Sequence, residues 1–438
     1  MPAAVDTLIL PRWIVPVCPA GVTLTDHAIA IAGGRIVELL PAAVAQTRFP
    51  DAKQVVLPRH VVIPGLINLH THAAMSLMRG YADDMALMQW LETRIWPAEM
   101  KFVSSEFVRD GTLLACAEML MGGVTCMNDM YFFPEAAAEA VISSRMRAVL
   151  GIIVLDYASP YASDPDDYLA KGLRLRDSLR GEPRLKFTIA PHAPYTVSDK
   201  TLEKALTYAD ELGLPVHMHV QETAGEIEDS VAKHGMRPLQ RLQGLGLLSP
   251  GLIAVHAVHL NQHEIELLAE HGCSVAHCPS SNLKLASGIA PVAGMLATGI
   301  NVGLGSDGAA SNNRLDMFAE MRLAALLAKG ASGDAAALPA HTALEMATIN
   351  AARALGLDER IGSIETGKDA DLVAVEIDGP ALQPCFNPVS HLVYAAGREN
   401  VSHVWVCGEN LVEKRGMPLF PLQDLEKSVF LWQNRLAS

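Results

Sequence analysis

The sequence has little charge for its size. Only 19% of its 438 residues are Asp, Glu, Lys or Arg, whereas soluble proteins typically have roughly 25%. Because 50% of the residues are apolar, the chain has the material for a large core, and the composition excludes a disordered protein. The 48 acidic residues outnumber the 34 basic ones, and the resulting charge of −14 has the wrong sign for binding nucleic acid or an anionic membrane.

The sequence also has few cysteines and no sorting signal. Its seven cysteines are dispersed and form no CxxC pair, which predicts free thiols in a reducing compartment. The N-terminal apolar run contains Pro11 and Arg12, so it lacks the uninterrupted middle of a signal peptide. The longest uncharged stretch, residues 285–306, contains Pro291 and five glycines and indicates a loop, a helix and a strand rather than a membrane span. We therefore expect a cytoplasmic protein with no membrane partner.

The middle of the chain alternates strand-like runs with helix-like segments. Short β-branched or apolar runs are followed by longer segments with apolar residues at helical spacing, as in parallel strands joined by crossover helices. The eight candidate strands are Val61–Leu69, Gly123–Asp129, Arg147–Asp156, Leu185–Pro191, Leu214–Val220, Leu252–His259, Cys273–Pro279 and Asn301–Asp307. Eight such units predict an α/β fold, a (β/α)8 TIM barrel.

Both ends of the chain have a different pattern. Short strand-like runs broken by Pro and Gly precede the barrel, and alternating apolar and polar pieces return from Asp371 onward. The most economical interpretation is a second, smaller, β-sandwich-like domain built from both termini. We expect this composite β domain to contain residues 1–63 and 370–438, and the barrel to contain residues 64–369.

Histidine and aspartate residues fall at the ends of several candidate strands. His70 and His72 are two positions apart, so they share one face of the first strand, although such a pair is a weak signal by itself. His219 ends the fifth strand and Asp307 ends the eighth, at the edge where barrel enzymes have their active sites. Three imidazoles and one carboxylate suit one divalent ion. Zn²⁺ is the first choice, and Fe²⁺ and Mn²⁺ are the alternatives.

Two further residues accompany this predicted metal site. Glu222 follows His219 by three residues, too close for both to be comfortable ligands of one ion, and a carboxylate there can move protons. His256 lies on the sixth strand, near the same edge of the barrel. For His217, His259 and His277 a buried or supporting role is expected.

Four segments of the chain carry a resemblance to the amidohydrolase superfamily: PGLINLHTH, HVQET, GSDGAASNN and IGSIETGKDADLV. They look like those of the branch that contains methylthioadenosine and S-adenosylhomocysteine deaminases, triazine chlorohydrolases, and guanine and cytosine deaminases. The resemblance covers nearly the whole chain. It implies that Glu222 shuttles protons, that His256 stabilises the attacking hydroxide, and that Asp307 accepts a proton of the water besides binding the metal.

The resemblance also bears on the number of metals. Dinuclear members use a carboxylated lysine at the end of strand four, but here Lys186 stands at the beginning of that strand and His192 near its end. One metal ion per subunit is therefore expected.

Two residues are expected to bind the substrate. Glu99 matches a glutamate that binds the ribose hydroxyls in the adenosine-type deaminases, and His192 matches a residue that positions the purine or the sugar. The tip of strand three, IIVLDYASPY, offers no cation for an amino-acid carboxylate, which favours a methylthio group. Asn282 and Ser311 are interpreted as residues that fix loops at the barrel mouth.

The sequence thus predicts a hydrolase that deaminates an adenine nucleoside, 5′-methylthioadenosine or S-adenosylhomocysteine, with adenosine as a further candidate substrate and ammonia as a product. Guanine or pterin deamination and triazine dechlorination remain open with the same site. An alternative of another class is a cyclic-amide hydrolase of the dihydroorotase or hydantoinase type, which requires two metals. The expected partner is a small purine nucleoside, and the low charged fraction leaves a homo-oligomer open.

Overall fold

The strands of the protein form two separate sheets. The structure is a computed structural model that describes residues 5–420 and 422–437. One sheet contains eight parallel strands, and the other is a mixed sheet of eight strands from both ends of the chain. The predicted TIM barrel with a smaller β domain from both termini is therefore confirmed.

The strands of the described residues are, in chain order, β1 (Thr7–Ile14), β2 (Leu24–Thr25), β3 (His27–Ala32), β4 (Arg35–Pro41), β5 (Lys53–Pro64), β6 (Leu66–Thr71), β7 (Val124–Asp129), β8 (Arg147–Val154), β9 (Leu185–Pro191), β10 (Val216–Val220), β11 (Leu252–His256), β12 (Ser274–His277), β13 (Asn301–Leu304), β14 (Leu372–Glu376), β15 (Val401–Val406) and β16 (Glu409–Glu413).

The α-helices within the same residues are α1 (Ala42–Arg48), α2 (Leu87–Trp90), α3 (Trp96–Phe102), α4 (Ser105–Met121), α5 (Pro134–Ser144), α6 (Pro165–Ser178), α7 (Asp199–Leu212), α8 (Ala224–His234), α9 (Pro238–Gly244), α10 (Gln262–Glu270), α11 (Pro279–Lys284), α12 (Val292–Ala297), α13 (Ala309–Asn312), α14 (Met317–Ser332), α15 (Ala340–Met346), α16 (Ile349–Ala354), α17 (Pro388–Tyr394) and α18 (Leu422–Leu436). Short 3₁₀ segments cover Ala73–Met78 and Arg398–Asn400, and a π-helical turn covers Leu91–Ile95.

The barrel strands β6 to β13 pair in sequence order, each parallel to the next. The segment just after the last barrel strand, β13, hydrogen-bonds to the first barrel strand, β6. The Asp307 N–H donates to the His70 carbonyl (2.9 Å), and the Ser306 N–H donates to Asn68 Oδ1 (2.9 Å). Strands that are covered on both faces consist of nearly continuous apolar runs. This is why the sequence shows β8 as RAVLGIIV, in which every residue is buried.

The first barrel strand is shorter than predicted. The predicted strand Val61–Leu69 is divided in the structure: β5 ends in the terminal sheet at Pro64, and β6 begins in the barrel at Leu66. Gly65 lies between them, and an ideal Cβ atom there would lie 2.0 Å from Thr125 Oγ1. A glycine therefore lets the chain pass from one sheet to the other, and the apolar pattern, which continues through this point, does not reveal the change.

The terminal sheet has the strand order β16–β15–β14–β5–β1–β3–β4, with β2 paired to β1. The last helix, α18, returns to the barrel: Trp432 Nε1 donates to Asp110 Oδ2 on α4 (3.0 Å), and the Trp432 ring packs edge-on against Phe107. Residues beyond 370 thus contact the barrel as well as their own sheet, and the predicted domain boundaries stay a prediction. In the ranges that the structure describes, no helix is long and apolar enough to cross a membrane.

Candidate active site

Four side chains of the predicted metal site meet at the mouth of the barrel. His70 lies near the end of β6 and His72 just after it, His219 lies on β10, and Asp307 follows β13. The distances from Asp307 Oδ1 to the Nε2 atoms of His70 and His72 are 3.2 and 3.3 Å. One ring nitrogen each of His70, His72 and His219 lies within 4.8 Å of the others. The structure therefore brings together all four predicted ligands.

Hydrogen bonds behind the imidazoles fix their orientation. Nδ1 of His72 donates to the Met130 carbonyl (2.5 Å), and Nδ1 of His219 donates to the His192 carbonyl (2.6 Å). A donating Nδ1 leaves Nε2 without a proton and able to bind a metal. Nδ1 of His70 lies 3.0 Å from Nε2 of His217, so His217 stands behind a predicted ligand.

Among the described residues, two buried atoms of the predicted ligands have no hydrogen-bond partner: His70 Nε2 and Asp307 Oδ1. Asp307 Oδ2, in contrast, accepts hydrogen bonds from Ser281 Oγ and Ser311 Oγ, both at 2.6 Å. A buried polar atom without a partner costs free energy, and a cation between the imidazoles would supply that partner. The donor set of nitrogen and carboxylate oxygen fits a divalent ion of the zinc type.

Burial also sets the protonation states that metal binding needs. It lowers the pKa of His70 to about 3 and holds the pKa of His219 well below its ordinary value, so both imidazoles are neutral. Burial alone would raise the pKa of Asp307, but the adjacent imidazoles of His70, His72 and His256 hold it well below its usual range. The site therefore presents neutral imidazoles and one ionised carboxylate.

Glu222 and His256 face each other beside the predicted metal ligands. His256 Nε2 lies 3.7 Å from Glu222 Oε2, and Ser287 Oγ donates to Glu222 Oε1 (3.2 Å). His256 Nδ1 lies 2.8 Å from the Asn282 amide oxygen, to which it donates, so Nε2 is the atom directed at Glu222. Burial raises the pKa of Glu222, which favours its protonated form, as a residue that donates a proton requires.

His256 also belongs to a second group with the geometry of a metal site. Ligand atoms of His70, His256 and Asp307 all lie within 4.8 Å of one another. His256 and Asp307 both adopt left-handed backbone conformations, with φ of 68° and 60°. Such conformations cost about 1–3 kcal/mol each and are concentrated at functional sites, where the surrounding fold enforces them.

A cavity of about 390 Å³ opens onto this cluster. Glu99 and His192, the two predicted substrate-binding residues, both line it. Glu99 Oε1 accepts a hydrogen bond from the Tyr131 hydroxyl (2.7 Å), and His192 Nδ1 lies 3.0 Å from Thr196 Oγ1. The apolar part of the wall includes Leu87, Trp90, Ile95, Phe132, Leu155 and Tyr157. None of the described residues that line the cavity is Lys or Arg.

Sequence reasoning missed several residues that support the site. Asn282 and Ser311 were expected to fix loops, but they also hold His256 and Asp307. Tyr131 stands in an aromatic run that carries no signal of its contact with Glu99.

Glu226 could have been found from the sequence, because Thr-x-x-Glu is the pattern of a helix capping box. Thr223 Oγ1 accepts from the Glu226 N–H (3.2 Å), as in that motif. The Glu226 carboxylate reaches back to the N–H groups of Gln221 (3.1 Å) and Glu222 (2.9 Å). It therefore fixes the turn that carries Glu222.

The chain is similar to named proteins over its whole length. A 5-methylthioadenosine/S-adenosylhomocysteine deaminase from Teredinibacter turnerae is 48% identical over 426 residues, which are 97% of this chain and 96% of that protein. The crystal structure of an adenosine deaminase from Xanthomonas campestris with bound zinc covers 100% of both chains, with a TM-score of 0.98 and 47% identity. An atrazine chlorohydrolase from Arthrobacter aurescens, also with zinc, has a TM-score of 0.91 at 24% identity, over 98% of this chain and 100% of that one, and shows the shared fold alone.

The family is shown by a match over most of the sequence. A family model described as Amidohydrolase family matches residues 61–411, from the end of β5 to β16. The predicted superfamily is thus confirmed: the chain belongs to the amidohydrolase family.

Proposed function

We propose that this protein is a metal-dependent hydrolase that deaminates adenine nucleosides, with 5′-methylthioadenosine preferred and S-adenosylhomocysteine and adenosine as further substrates. One observation carries the proposal: a single cavity joins the cluster of metal-binding residues, the protonatable Glu222 and the carboxylate of Glu99. The deaminase names of relatives at 47–48% identity support the same reaction.

His70, His72, His219 and Asp307 would hold one divalent ion. Zinc is the first choice because the similar deaminase structure from Xanthomonas campestris contains it. When bound, such an ion lowers the pKa of a water molecule toward neutrality and so supplies the nucleophile. Asp307, which is ionised, accepts the proton of the attacking water.

Glu222 carries the proton that the purine needs. It lies in the cavity, and its raised pKa favours the protonated form that donates to the ring nitrogen N1 as water adds at C6. The proton that Asp307 took from the water then passes to the exocyclic amine, and the ionised Glu222 recovers a proton from the C6 hydroxyl. The C6–N bond breaks, which releases ammonia and leaves the C6 carbonyl of the inosine analogue. His256, held by Asn282, directs Nε2 toward this reaction and stabilises the water that attacks.

The shape and chemistry of the cavity favour the methylthio substrate. The Glu99 carboxylate can accept hydrogen bonds from both hydroxyls of a ribose. The apolar wall suits a short thioether, whereas the carboxylate of a homocysteine group would find no Lys or Arg among the described lining residues. All seven cysteines are free thiols, which supports a cytoplasmic location for this small-molecule enzyme.

Ammonia release from the zinc-loaded protein tests the proposal. Substrates to compare are 5′-methylthioadenosine, S-adenosylhomocysteine, adenosine, guanine, atrazine and dihydroorotate. We expect deamination of the three adenine nucleosides, loss of activity on chelation, and recovery with zinc. Glu222→Gln should lower kcat by roughly 10²- to 10⁴-fold, the usual contribution of an acid–base residue.

The matched control is Glu228→Gln, which changes an exposed glutamate on the same helix that follows Glu222 and should leave kcat unchanged. Chloride release from atrazine without nucleoside deamination would overturn the proposal in favour of a chlorohydrolase. Ring opening of dihydroorotate, with two metal ions per chain, would overturn it in favour of a cyclic-amide hydrolase.

A further inference from the structure

The loop after β7 contacts two residues that line the cavity, His72 and Glu99. The carbonyl of Met130 accepts the hydrogen bond that orients His72, and the hydroxyl of the next residue, Tyr131, donates to Glu99. The Tyr131 ring also packs against the His72 ring, with 6.3 Å between ring centroids. Two successive residues thus tie a metal-binding imidazole to the carboxylate on α3.

Glu99 depends on this single contact. In the described part of the chain, Tyr131 is the only side chain that hydrogen-bonds to the Glu99 carboxylate. Glu99 itself is carried by the long segment between β6 and α4, which includes the π-helical turn Leu91–Ile95. A π-helical turn is rare and is often found at functional sites. Without Tyr131, the position of the carboxylate would depend on this irregular segment alone.

An ionised carboxylate has about four acceptor positions on its two oxygens. The Tyr131 hydroxyl occupies one position on Oε1, which leaves the other position of Oε1 and all of Oε2 for two ribose hydroxyls. Burial raises the pKa of Glu99 to about 7, and the hydrogen bond from Tyr131 acts in the opposite direction, toward the ionised form. A protonated carboxyl would present one oxygen as a donor and would accept a diol less well.

We infer that Tyr131 is a positioning residue that sets substrate specificity: it holds Glu99 at a fixed place relative to the metal site, so that the carboxylate accepts both hydroxyls of a ribose. This inference rests on the proposed function. It assigns discrimination between ribosides and deoxyribosides to a contact between two cavity residues, Tyr131 and Glu99, of which only Glu99 touches the sugar.

Tyr131→Phe tests the inference because it removes the hydroxyl and keeps the ring against His72. For adenosine, KM should rise by roughly tenfold or more at unchanged kcat, because the variant loses a hydrogen bond to a charged group, and a tenfold change corresponds to about 1.4 kcal/mol. For 2′-deoxyadenosine, which offers one hydroxyl fewer, KM should change less than about twofold. In a Glu99→Gln background, Tyr131→Phe should have no further effect.

The control is Tyr161→Phe, because the Tyr161 hydroxyl is buried without a partner and the residue does not line the cavity. Zinc content and thermal unfolding verify that both variants are folded and loaded. If the parent deaminates no adenine nucleoside, 5′-methylthioadenosine included, the proposed function falls and this assignment falls with it. If the parent is active but Tyr131→Phe slows both nucleosides equally, or lowers only kcat, the assignment alone is wrong.

Discussion

Replacing Arg147 with methionine should destabilise the protein by about 3 kcal/mol. Arg147 is the first residue of β8, and its side chain is buried between the barrel and the terminal sheet. Its Nε donates to Asp371 Oδ2 (3.0 Å), and its Nη2 donates to Asp369 Oδ2 (2.9 Å). Both carboxylates are buried and lie just before β14, so one guanidinium connects the two sheets of the fold.

The magnitude follows from what the substitution leaves behind. Removing one partner of a buried ion pair costs about 3–5 kcal/mol because the other charge stays buried without compensation. Two donors would remain here: the Cys407 N–H on Asp371 Oδ1 (2.7 Å) and the Arg360 guanidinium on Asp369 Oδ2 (2.6 Å). They offset part of the loss, which places the expected effect at the lower end of that range.

Urea unfolding followed by circular dichroism measures the effect, with Arg35→Met as the matched control. Arg35 approaches the same Asp369, but at 3.9 Å and with 61% of its side chain exposed, and exposed pairs contribute at most about 1 kcal/mol. Adding Asp371→Asn to Arg147→Met should restore part of the stability, since it removes the uncompensated charge. A loss below about 1 kcal/mol in Arg147→Met, or one equal to that of Arg35→Met, would show that the buried carboxylates do not need the Arg147 guanidinium.

Two further predictions concern the surroundings of Asp307. Gly305→Ala should lower the affinity for zinc at least tenfold in a calorimetric titration. An ideal Cβ atom there would lie 2.8 Å from the backbone N of His70, so the substitution should displace this predicted ligand. The control is Gly330→Ala, which should leave the affinity unchanged because a Cβ atom there has nothing within 4 Å. Burial raises the pKa of Glu320 from 4.5 to about 7 in the folded protein. Between these pH values only the unfolded state releases the proton, so the free energy of unfolding should fall by about 3 kcal/mol as the pH rises through the interval. Urea unfolding at several pH values should show a flatter pH dependence for Glu320→Gln, and an unchanged slope contradicts this account.

The sequence is most informative where geometry allows few alternatives. Parallel strands in a barrel end at the same mouth, so His70, His219 and Asp307 could be placed together from their positions at strand ends alone. The alternation of side chains along β6 likewise put His70 and His72 on one face. These residues lie in regular strands or just after them, where position along the chain largely determines direction in space.

Contacts between irregular segments could not be predicted in this way. Tyr131 and Glu99 are 32 positions apart on segments without a regular period, so nothing in their spacing indicates the hydrogen bond between them. The division between β5 and β6 at Gly65 could not be predicted for another reason: the apolar pattern continues across it, while the strand that pairs with the chain changes. The docking of α18 on α4 depends on Trp432 and Asp110, and their pairing is a matter of tertiary structure alone.

Burial gives this site its reactivity, although the chain as a whole is acidic. Burial lowers the pKa of His70 and of His219 and keeps both imidazoles neutral, although the chain has a net charge of −14. The predicted ligands then carry one negative charge, that of Asp307, so the site retains positive charge when a divalent ion is bound, and this charge is what lowers the pKa of water. Burial acts in the other direction on Glu222, whose raised pKa keeps a proton available. The same desolvation therefore favours neutral ligands and the protonated form of Glu222 within one cavity, the two states that hydrolytic deamination requires.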